Sequence, residues 1–285
     1  MAKTYNDIYI RARKELKAAG IEAFALEARL IVAQAAGKTM ERLMRDINLY
    51  ASDGFERSVR DMVSRRLTGE PVAYITGGWE FYGVPLDITP DVLIPRMDTE
   101  VLVRAAIEWF RGRNGRPRIL DLCTGSGCVG IALGVHMPGA RVVMVDNSPK
   151  ALSVCRRNIR KNNLDVRVMC VEADVTEKPP MLLGRFDLIT CNAPYIASGE
   201  LAELDSSVRD YEPVAALDGG EDGLEIIRPV IALWKSVLTD NGAIMLEIGE
   251  GQARAVGELL TQAGFQKVGA LQDTNGTDRV MVGRL

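Results

Sequence analysis

Asn192 follows a run of strand character, Phe186-Asp-Leu-Ile-Thr190, and opens the turn Asn192-Ala-Pro-Tyr195. A strand that finishes near an Asn carries a side-chain carbonyl and amide to the carboxyl edge of its sheet, where open α/β sheets bind ligands. Pro194 stiffens the turn, and Tyr195 sets a flat ring beside the amide. Together these residues can grip a small planar group through both donors and acceptors, such as an amide or the edge of an amino-purine. A strand-to-loop turn rich in Asn and Pro is also commonplace, so its weight comes from what else the chain carries.

A second constellation lies upstream. Asp121-Leu-Cys123-Thr124-Gly125-Ser126-Gly127 sits where a strand enters a helix. Glycines there let the backbone approach a ligand, and a helix N-terminus adds a positive end. Asp146 ends the next strand, where a carboxylate can accept from both hydroxyls of a ribose. Asp174, with Val175 after it, follows the third strand and can meet an adenine amino group. Two cofactors compete for this arrangement. Gly125-Ser-Gly127-Cys-Val-Gly130 matches the dinucleotide fingerprint, with Asp146 about twenty residues on, which makes a dehydrogenase a rival. Against it, Asp121 would repel a pyrophosphate, whereas an acid suits a sulfonium with an amino-acid tail. Three acids at three successive strand ends favour S-adenosylmethionine, which has no phosphates. A glycine turn with incidental acids is the bland alternative.

These groups need a sheet to position them. From Arg116 the pattern is strand, loop, helix, repeated. Strands are expected at residues 118–122, 141–146, 166–171, 186–190 and 243–248, with helices starting at Val129 and Pro149. Residues 265–271 and 279–282 read as two further strands joined by a turn at Asn275-Gly276. Alternating strands and helices imply a doubly wound, largely parallel sheet. The short final connection implies that the last strand enters antiparallel. Upstream, apolar spacing predicts a helical bundle over residues 1–70, with helices before Gly20, from Ala23 to Ala36, and over 40–44 and 55–67. Val72-Ala-Tyr-Ile75, Trp79-Glu-Phe-Tyr82 and Leu86-Asp-Ile88 alternate β-formers with turn residues, which predicts a β-hairpin. Asp98 or Thr99 is expected to cap a helix running through Phe110.

The bulk numbers fit a globular protein of one large or two medium domains: 285 residues, 47% hydrophobic and 26% charged. A net charge of −3 advertises no nucleic-acid field. Five cysteines without a Cys-x-x-Cys pair suggest reduced thiols, no metal site and a cytoplasmic setting. The N-terminus lacks the apolar core of a signal peptide, and no apolar run reaches the ~20 residues of a membrane span. The single histidine, His136, stands near a helix exit and reads as structural or solvated, leaving Ser-His-Asp and Cys-His chemistry without support. Arg156-Arg-Asn-Ile-Arg160-Lys161 reads as a solvated helix face, and Trp79, Phe81 and Tyr82 as hairpin packing.

The glycine loop, Asp146 and Asn192-Ala-Pro-Tyr195 together resemble class I methyltransferases that modify exocyclic or amide nitrogens. More narrowly, the chain is similar to the HemK/PrmC family, the glutamine-N(5) methyltransferases of peptide chain release factors. The resemblance runs almost end to end. It includes Arg66-Leu-Thr-Gly-Glu-Pro-Val-Ala-Tyr-Ile-Thr-Gly77, Glu80-Phe-Tyr-Gly83, Leu93-Ile-Pro-Arg-Met-Asp-Thr-Glu100, Arg209-Asp-Tyr-Glu-Pro213, Ala216-Leu217 and Gly219-Gly-Glu-Asp-Gly-Leu224. It implies an α/β, Rossmann-like methyltransferase sheet with a small all-helical N-terminal domain and a β-hairpin linker. The expected divisions are a substrate-recognition domain over 1–72, a linker over 73–92 and a catalytic domain over 93–285. The implied catalytic set is Asn192, Ala193, Pro194 and Tyr195. Asp121, Cys123, Thr124, Gly125, Ser126, Gly127, Asp146, Asp174, Val175 and Asn192 are the implied binding set for S-adenosyl-L-methionine. Release factors are the implied partners of a monomer that needs no nucleic acid or membrane.

Two positions depart from the family pattern. Ala193 replaces the first proline of Asn-Pro-Pro-Tyr; it keeps the carbonyl that holds the substrate amide in the family but gives up a fixed φ. Cys123 stands where the first loop glycine is usual, and its side chain is expected to require φ < 0 there. Arg96 and Glu100 are expected to form an anchoring ion pair. Alternatives on other substrates are a ribosomal-protein glutamine and an adenine amino group on nucleic acid. The latter sits poorly with a pI of 5.5. A cofactor-binding adaptor without turnover is the non-enzymatic alternative.

Overall fold

A computed structural model describes residues 3–113 and 115–285. It divides into two compact units. One holds the residues up to Gly78 together with Asp205–Tyr211; the other holds Trp79–Leu204 and Glu212–Leu285.

The first unit is helical: α1 (Tyr5–Ala18), α2 (Phe24–Ala35), α3 (Met40–Arg45), α4 (Asp53–Leu67) and α5 (Val72–Thr76). Its starts are written in the sequence. Thr4 and Asp7 form a reciprocal capping box, and Thr39 and Ser52 cap α3 and α4. Ile8, Ala12 and Leu16 face Ala28, Ile31, Val59 and Val63 in a dry interior. Arg66 grips Glu27 through two hydrogen bonds of 2.6 and 3.3 Å, a charge pair between α2 and α4. Val72-Ala-Tyr-Ile75 is helix rather than the opening of the hairpin. Pro71 stands at its start, left-handed Gly77 ends it, and all four residues are buried. Burial on consecutive positions suits a helical turn better than a two-faced strand, so packing overrides β propensity.

In the second unit β1 (Gly78–Phe81) and β2 (Val84–Asp87) form a hairpin. Tyr82 and Gly83 both take positive φ, as a tight primed turn requires. Chain order then gives α6 (Glu100–Phe110), β3 (Arg118–Leu122), α7 (Cys128–His136), β4 (Arg141–Asp146), α8 (Pro149–Lys161), β5 (Val168–Glu172) and β6 (Phe186–Cys191). The short α9 (Ser206–Arg209) belongs to the helical unit. After it come α10 (Ile227–Trp234), β7 (Leu238–Glu247), α11 (Ala253–Gln262), β8 (Lys267–Gln272) and β9 (Asp278–Arg284). Val166, expected within β5, is 96% exposed and precedes the strand.

The seven-stranded sheet has the order β5-β4-β3-β6-β7-β9-β8. Strands β3 to β7 pair in parallel, and β9 enters antiparallel between β7 and β8. The chain runs outward from β3 through β4 to β5, then returns to β6 on the other side. The crevice of an open sheet lies at that reversal, at the carboxyl ends of β3 and β6. Leu122 and Cys191 are paired across it, so Cys123 and Asn192 leave the sheet side by side. Asn158 on α8 fixes the surroundings: buried, it accepts from Asp87 N and donates to the carbonyls of Asp87 and Ser126. Within the basic helix stretch, Asn158 and Ile159 are thus buried, while Arg156, Arg160 and Lys161 are exposed. His136 meets the Tyr82 carbonyl at 3.0 Å and the Tyr82 ring edge-on. No helix among the described residues is long and apolar enough to cross a membrane.

Candidate active site

A cavity of about 270 Å³ opens at the reversal point. Its walls include Asp121, Cys123, Thr124, Gly125, Ser126, Asp146, Asp174, Val175, Asn192 and Pro194. Three residues of the expected set lie outside this lining. Gly127 serves instead as the left-handed N-cap of α7. Ala193 is 2% exposed, with its methyl in the hydrophobic core. Tyr195 sends its hydroxyl to Glu247 Oε1 at 3.4 Å.

The acids are held differently from one another. Asp121 is buried and accepts from Thr124 Oγ1 (2.5 Å), Gly130 N (3.2 Å) and Thr190 Oγ1 (2.8 Å). Burial pushes its carboxyl up to about 6 against the pull of those donors, and the neighbouring Asp146 adds to the push. Asp146 accepts from Gly125 N and Ser148 N, and burial again raises it above the ordinary carboxylate value. Asp174 is half-buried; the Thr176 hydroxyl and amide on its Oδ1 hold it below that value.

The glycine loop discriminates between the two cofactors. Thr124 N donates to Val145 O, Gly125 N to Asp146 and Gly127 N to Thr124 O. Three amides of the loop are thus spent inside the protein, and two carboxylates flank it. That donor set repels phosphate and favours a cationic ligand, so the cavity fits S-adenosylmethionine and disfavours a dinucleotide.

Cys123 overturns its expected conformation: φ is +53°. The chain must swing from the end of β3 toward β4 at once, because Thr124 N already reaches Val145 O. Only the left-handed region makes that turn. A non-glycine residue there costs about 1–2 kcal/mol. Cys191 pairs with the Cys123 thiol, and that hydrogen bond together with burial raises Cys191 well above the usual thiol value.

The expected Arg96–Glu100 pair is also replaced. Arg96 binds buried Glu212, which accepts from Ile94 N as well, so that two cavity walls, 93–95 and 213–216, are clamped together. Glu100 accepts from Tyr82 N instead. The turn itself is backed by the segment Gly219–Gly223. Ile196 N donates to Leu217 O, Gly219 N to Ile196 O, and Gln252 Nε2 to Tyr195 O. A Cβ on Gly223, whose φ is +72°, would sit 2.3 Å from the Tyr195 carbonyl oxygen. Glycine is needed there for close approach.

Sequence reasoning missed Thr99 and Glu247. Thr99 stands at the N-cap of α6, but its side chain does not cap the helix. Its hydroxyl accepts from Asn192 Nδ2 at 3.3 Å. Glu247 ends the apolar run Ala243-Ile-Met-Leu and is 1% exposed. A carboxylate closing a buried strand was the signal available. Asn147, Ser148, Asp91, Val92, Leu93 and Pro95 line the cavity beside residues already singled out.

Comparison with known proteins follows the same division. Residues 7–77 match the family described as the PrmC N-terminal domain, and residues 86–205 match the methyltransferase small domain. The release factor glutamine methyltransferase of Geobacter sulfurreducens is 38% identical over 266 residues, 93% of this chain and 91% of that protein. That of Agrobacterium fabrum is 38% identical over 279 residues, 96% of this chain and 95% of that protein. Among solved structures, the hMettl16 catalytic domain aligns with a TM-score of 0.57 at 18% identity, covering 88% of this chain and 90% of that one, a likeness of fold alone. With near-complete coverage at this identity, the chain belongs to the release factor glutamine methyltransferase family, S-adenosylmethionine-dependent enzymes of the class I fold.

Proposed function

We propose that this protein transfers the methyl group of S-adenosylmethionine to the side-chain amide nitrogen of the glutamine in the Gly-Gly-Gln motif of peptide chain release factors. The observation that carries this is Asn192, on the cavity wall beside the glycine loop, with its Nδ2 committed to Thr99. Its Oδ1 is left to accept from a guest. Asp146 would take the ribose hydroxyls and Asp174 with Val175 the adenine edge. The loop from Asp121 to Gly127, with Cys123, Thr124, Gly125 and Ser126, would receive the amino-acid end. The cofactor supplies an electrophilic methyl group.

An amide nitrogen is a poor nucleophile because its lone pair is delocalised. Positioning is therefore the chemistry this chain contributes. Asn192 Oδ1 and the Ala193 carbonyl accept the two N–H groups of the substrate amide, which turns the nitrogen lone pair toward the methyl donor. The same acceptors stabilise the positive charge that builds on nitrogen during transfer. Pro194 keeps the turn stiff, and the Tyr195 ring excludes water beside the amide. The helical unit, up to Gly78 with Asp205–Tyr211, selects the protein partner, and the sheet unit carries the reaction. The protein acts as a monomer and without nucleic acid.

Incubation of the protein with labelled S-adenosylmethionine and, side by side, release factors, ribosomal protein and DNA tests this directly. Label is expected in the release factors. Label confined to ribosomal protein or to DNA would replace the substrate assignment.

A further inference from the structure

We infer that Arg279 is a positioning residue for methyl transfer: its grip on Asp98 fixes the turn from which Thr99 orients Asn192. The inference rests on the amide-gripping function proposed above for Asn192. It names what holds that side chain's partner still.

Asn192 Nδ2 donates to Thr99 Oγ1 at 3.3 Å, which leaves Asn192 Oδ1 for the substrate. The aim of Asn192 is therefore only as good as the placement of Thr99. Thr99 belongs to a tight turn that leads into α6. Its N donates to Arg96 O, Glu100 N donates to Met97 O, and Val101 N donates to Asp98 O. Thr99 is buried, whereas Met97 is exposed and the Asp98 side chain is half-exposed. Two ion pairs tether this turn. Arg96 binds Glu212 on its N-terminal side. Directly before Thr99, Asp98 Oδ2 lies 3.4 Å from Arg279 Nη2.

Arg279 is the stationary end of that second pair. Its carbonyl accepts from Ile248 N at 3.0 Å, and its Nη1 donates to Ile248 O at 3.4 Å. Its Nη2 also donates to Asp273 Oδ2 at 3.3 Å. Asp273 is locked in turn, because its Oδ1 accepts from Asn275 N at 2.8 Å and from Thr277 N at 3.0 Å. The turn at Asn275-Gly276 thus does more than reverse the chain. It builds a socket for one guanidinium and presents that group to the turn carrying Thr99.

The stability of the hairpin alone explains Arg279 poorly. The side chain is 14% exposed, and its Nε is buried without a partner among the described residues. A buried donor left unmade is unfavourable. Asp273 by itself would balance the charge, yet the guanidinium also spans to Asp98 in a distant segment. Bridging two carboxylates is work that a planar group with several donors does well. Without Arg279 the turn is tethered only through Arg96. Thr99 then drifts, and the Asn192 amide loses its fixed partner.

The test is steady-state kinetics on a release-factor substrate, with cofactor affinity by calorimetry. The variants are Asp98→Asn, Arg279→Met, Thr99→Val and the pairs Asp98→Asn/Arg279→Met and Thr99→Val/Asp98→Asn. Misplacement by about 1 Å costs about a hundredfold, so loss of one tether of two should lower kcat about tenfold. KM and cofactor Kd should each stay within about twofold, because the lost interaction serves the transition state. Residues acting through one contact are not additive. Asp98→Asn/Arg279→Met should therefore be no slower than the slower single variant, and Asp98→Asn should add less than about twofold to Thr99→Val. A half-exposed ion pair contributes little to stability, so Asp98→Asn should melt close to wild type, and it decides alone should Arg279→Met fail to fold. Unchanged kcat in Asp98→Asn, or losses that multiply in either pair, overturns the inference. Wild-type enzyme in the same assay separates the two claims. If it transfers nothing, the substrate reading falls and takes this inference with it; if it works and the variants match it, only the role of Arg279 falls.

Discussion

The two ends of the cavity are built by different means. At the cofactor end, most bonds to the acids are short-range: Asp174 is held by Thr176, Asp146 by Ser148, and Asp121 by Thr124 and Gly130, with Gly125 on Asp146 and Thr190 on Asp121 as the longer-range additions. At the other end the contacts join distant segments: Asn192 to Thr99 across 93 residues, Tyr195 to Glu247 across 52, and Ile94 to Glu212 across 118. Local construction gives a preformed cradle that survives single losses one loop at a time. Non-local construction gives a grip whose members fail together, as coupled networks do.

The contrast can be broken most sharply at Asn192. Asn192→Ala should reduce single-turnover transfer by about a thousandfold or more, as loss of an essential acceptor in the transition state does. Cofactor affinity should be nearly unaltered. Parallel loss of both would mean that the two ends are one unit. At the cofactor end, Asp146→Ala should weaken S-adenosylmethionine binding about ten- to a hundredfold, since each hydrogen bond to a charged group contributes about 1.5–3 kcal/mol. Calorimetry reads that change, and an unaltered Kd would remove Asp146 from the ribose.

The acids also set a stability trend. Asp121 is raised to about 6 and Glu247 to about 7, both above their ordinary values of 3.8 and 4.5. The folded protein then holds protons that the unfolded chain has already released. Stability should accordingly fall as pH rises from about 4 to 7 and level off above. Glu247→Gln should flatten part of that slope and hold the melting temperature at pH 8 level with or a few degrees above wild type. A melting temperature that climbs with pH across this window would contradict the sign. The smallest effect is expected at Cys123. Cys123→Gly relieves about 1–2 kcal/mol of left-handed strain but adds about 0.5–1 kcal/mol of backbone entropy to the unfolded chain. A melting shift of no more than a few degrees should follow, with cofactor binding retained.

Legibility in the sequence tracks the same divide. Helix starts at Thr4, Thr39 and Ser52, strands β3 and β4 to the residue, and the antiparallel entry of β9 all follow from local pattern. So do Asp146 and Asp174, because a strand end and its next turn are neighbours in sequence. What local pattern missed was long-range. Thr99 looked like a helix cap, and Arg96 looked paired with Glu100 four residues on, yet both reach partners far along the chain. Residues 72–75 looked extended, yet burial at all four positions goes with a helical turn. Cys123 was assigned the wrong sign of φ because the demand for a turn comes from β4, a separate strand.

The most direct measurement is fragmentation mass spectrometry of the Gly-Gly-Gln peptide from a release factor treated with S-adenosylmethionine and either wild-type protein or Asn192→Ala. One added methyl on the glutamine side chain with wild type, and none with the variant, is the expected result. A methyl group on another residue, or equal transfer by the variant, would contradict the grip assigned to Asn192.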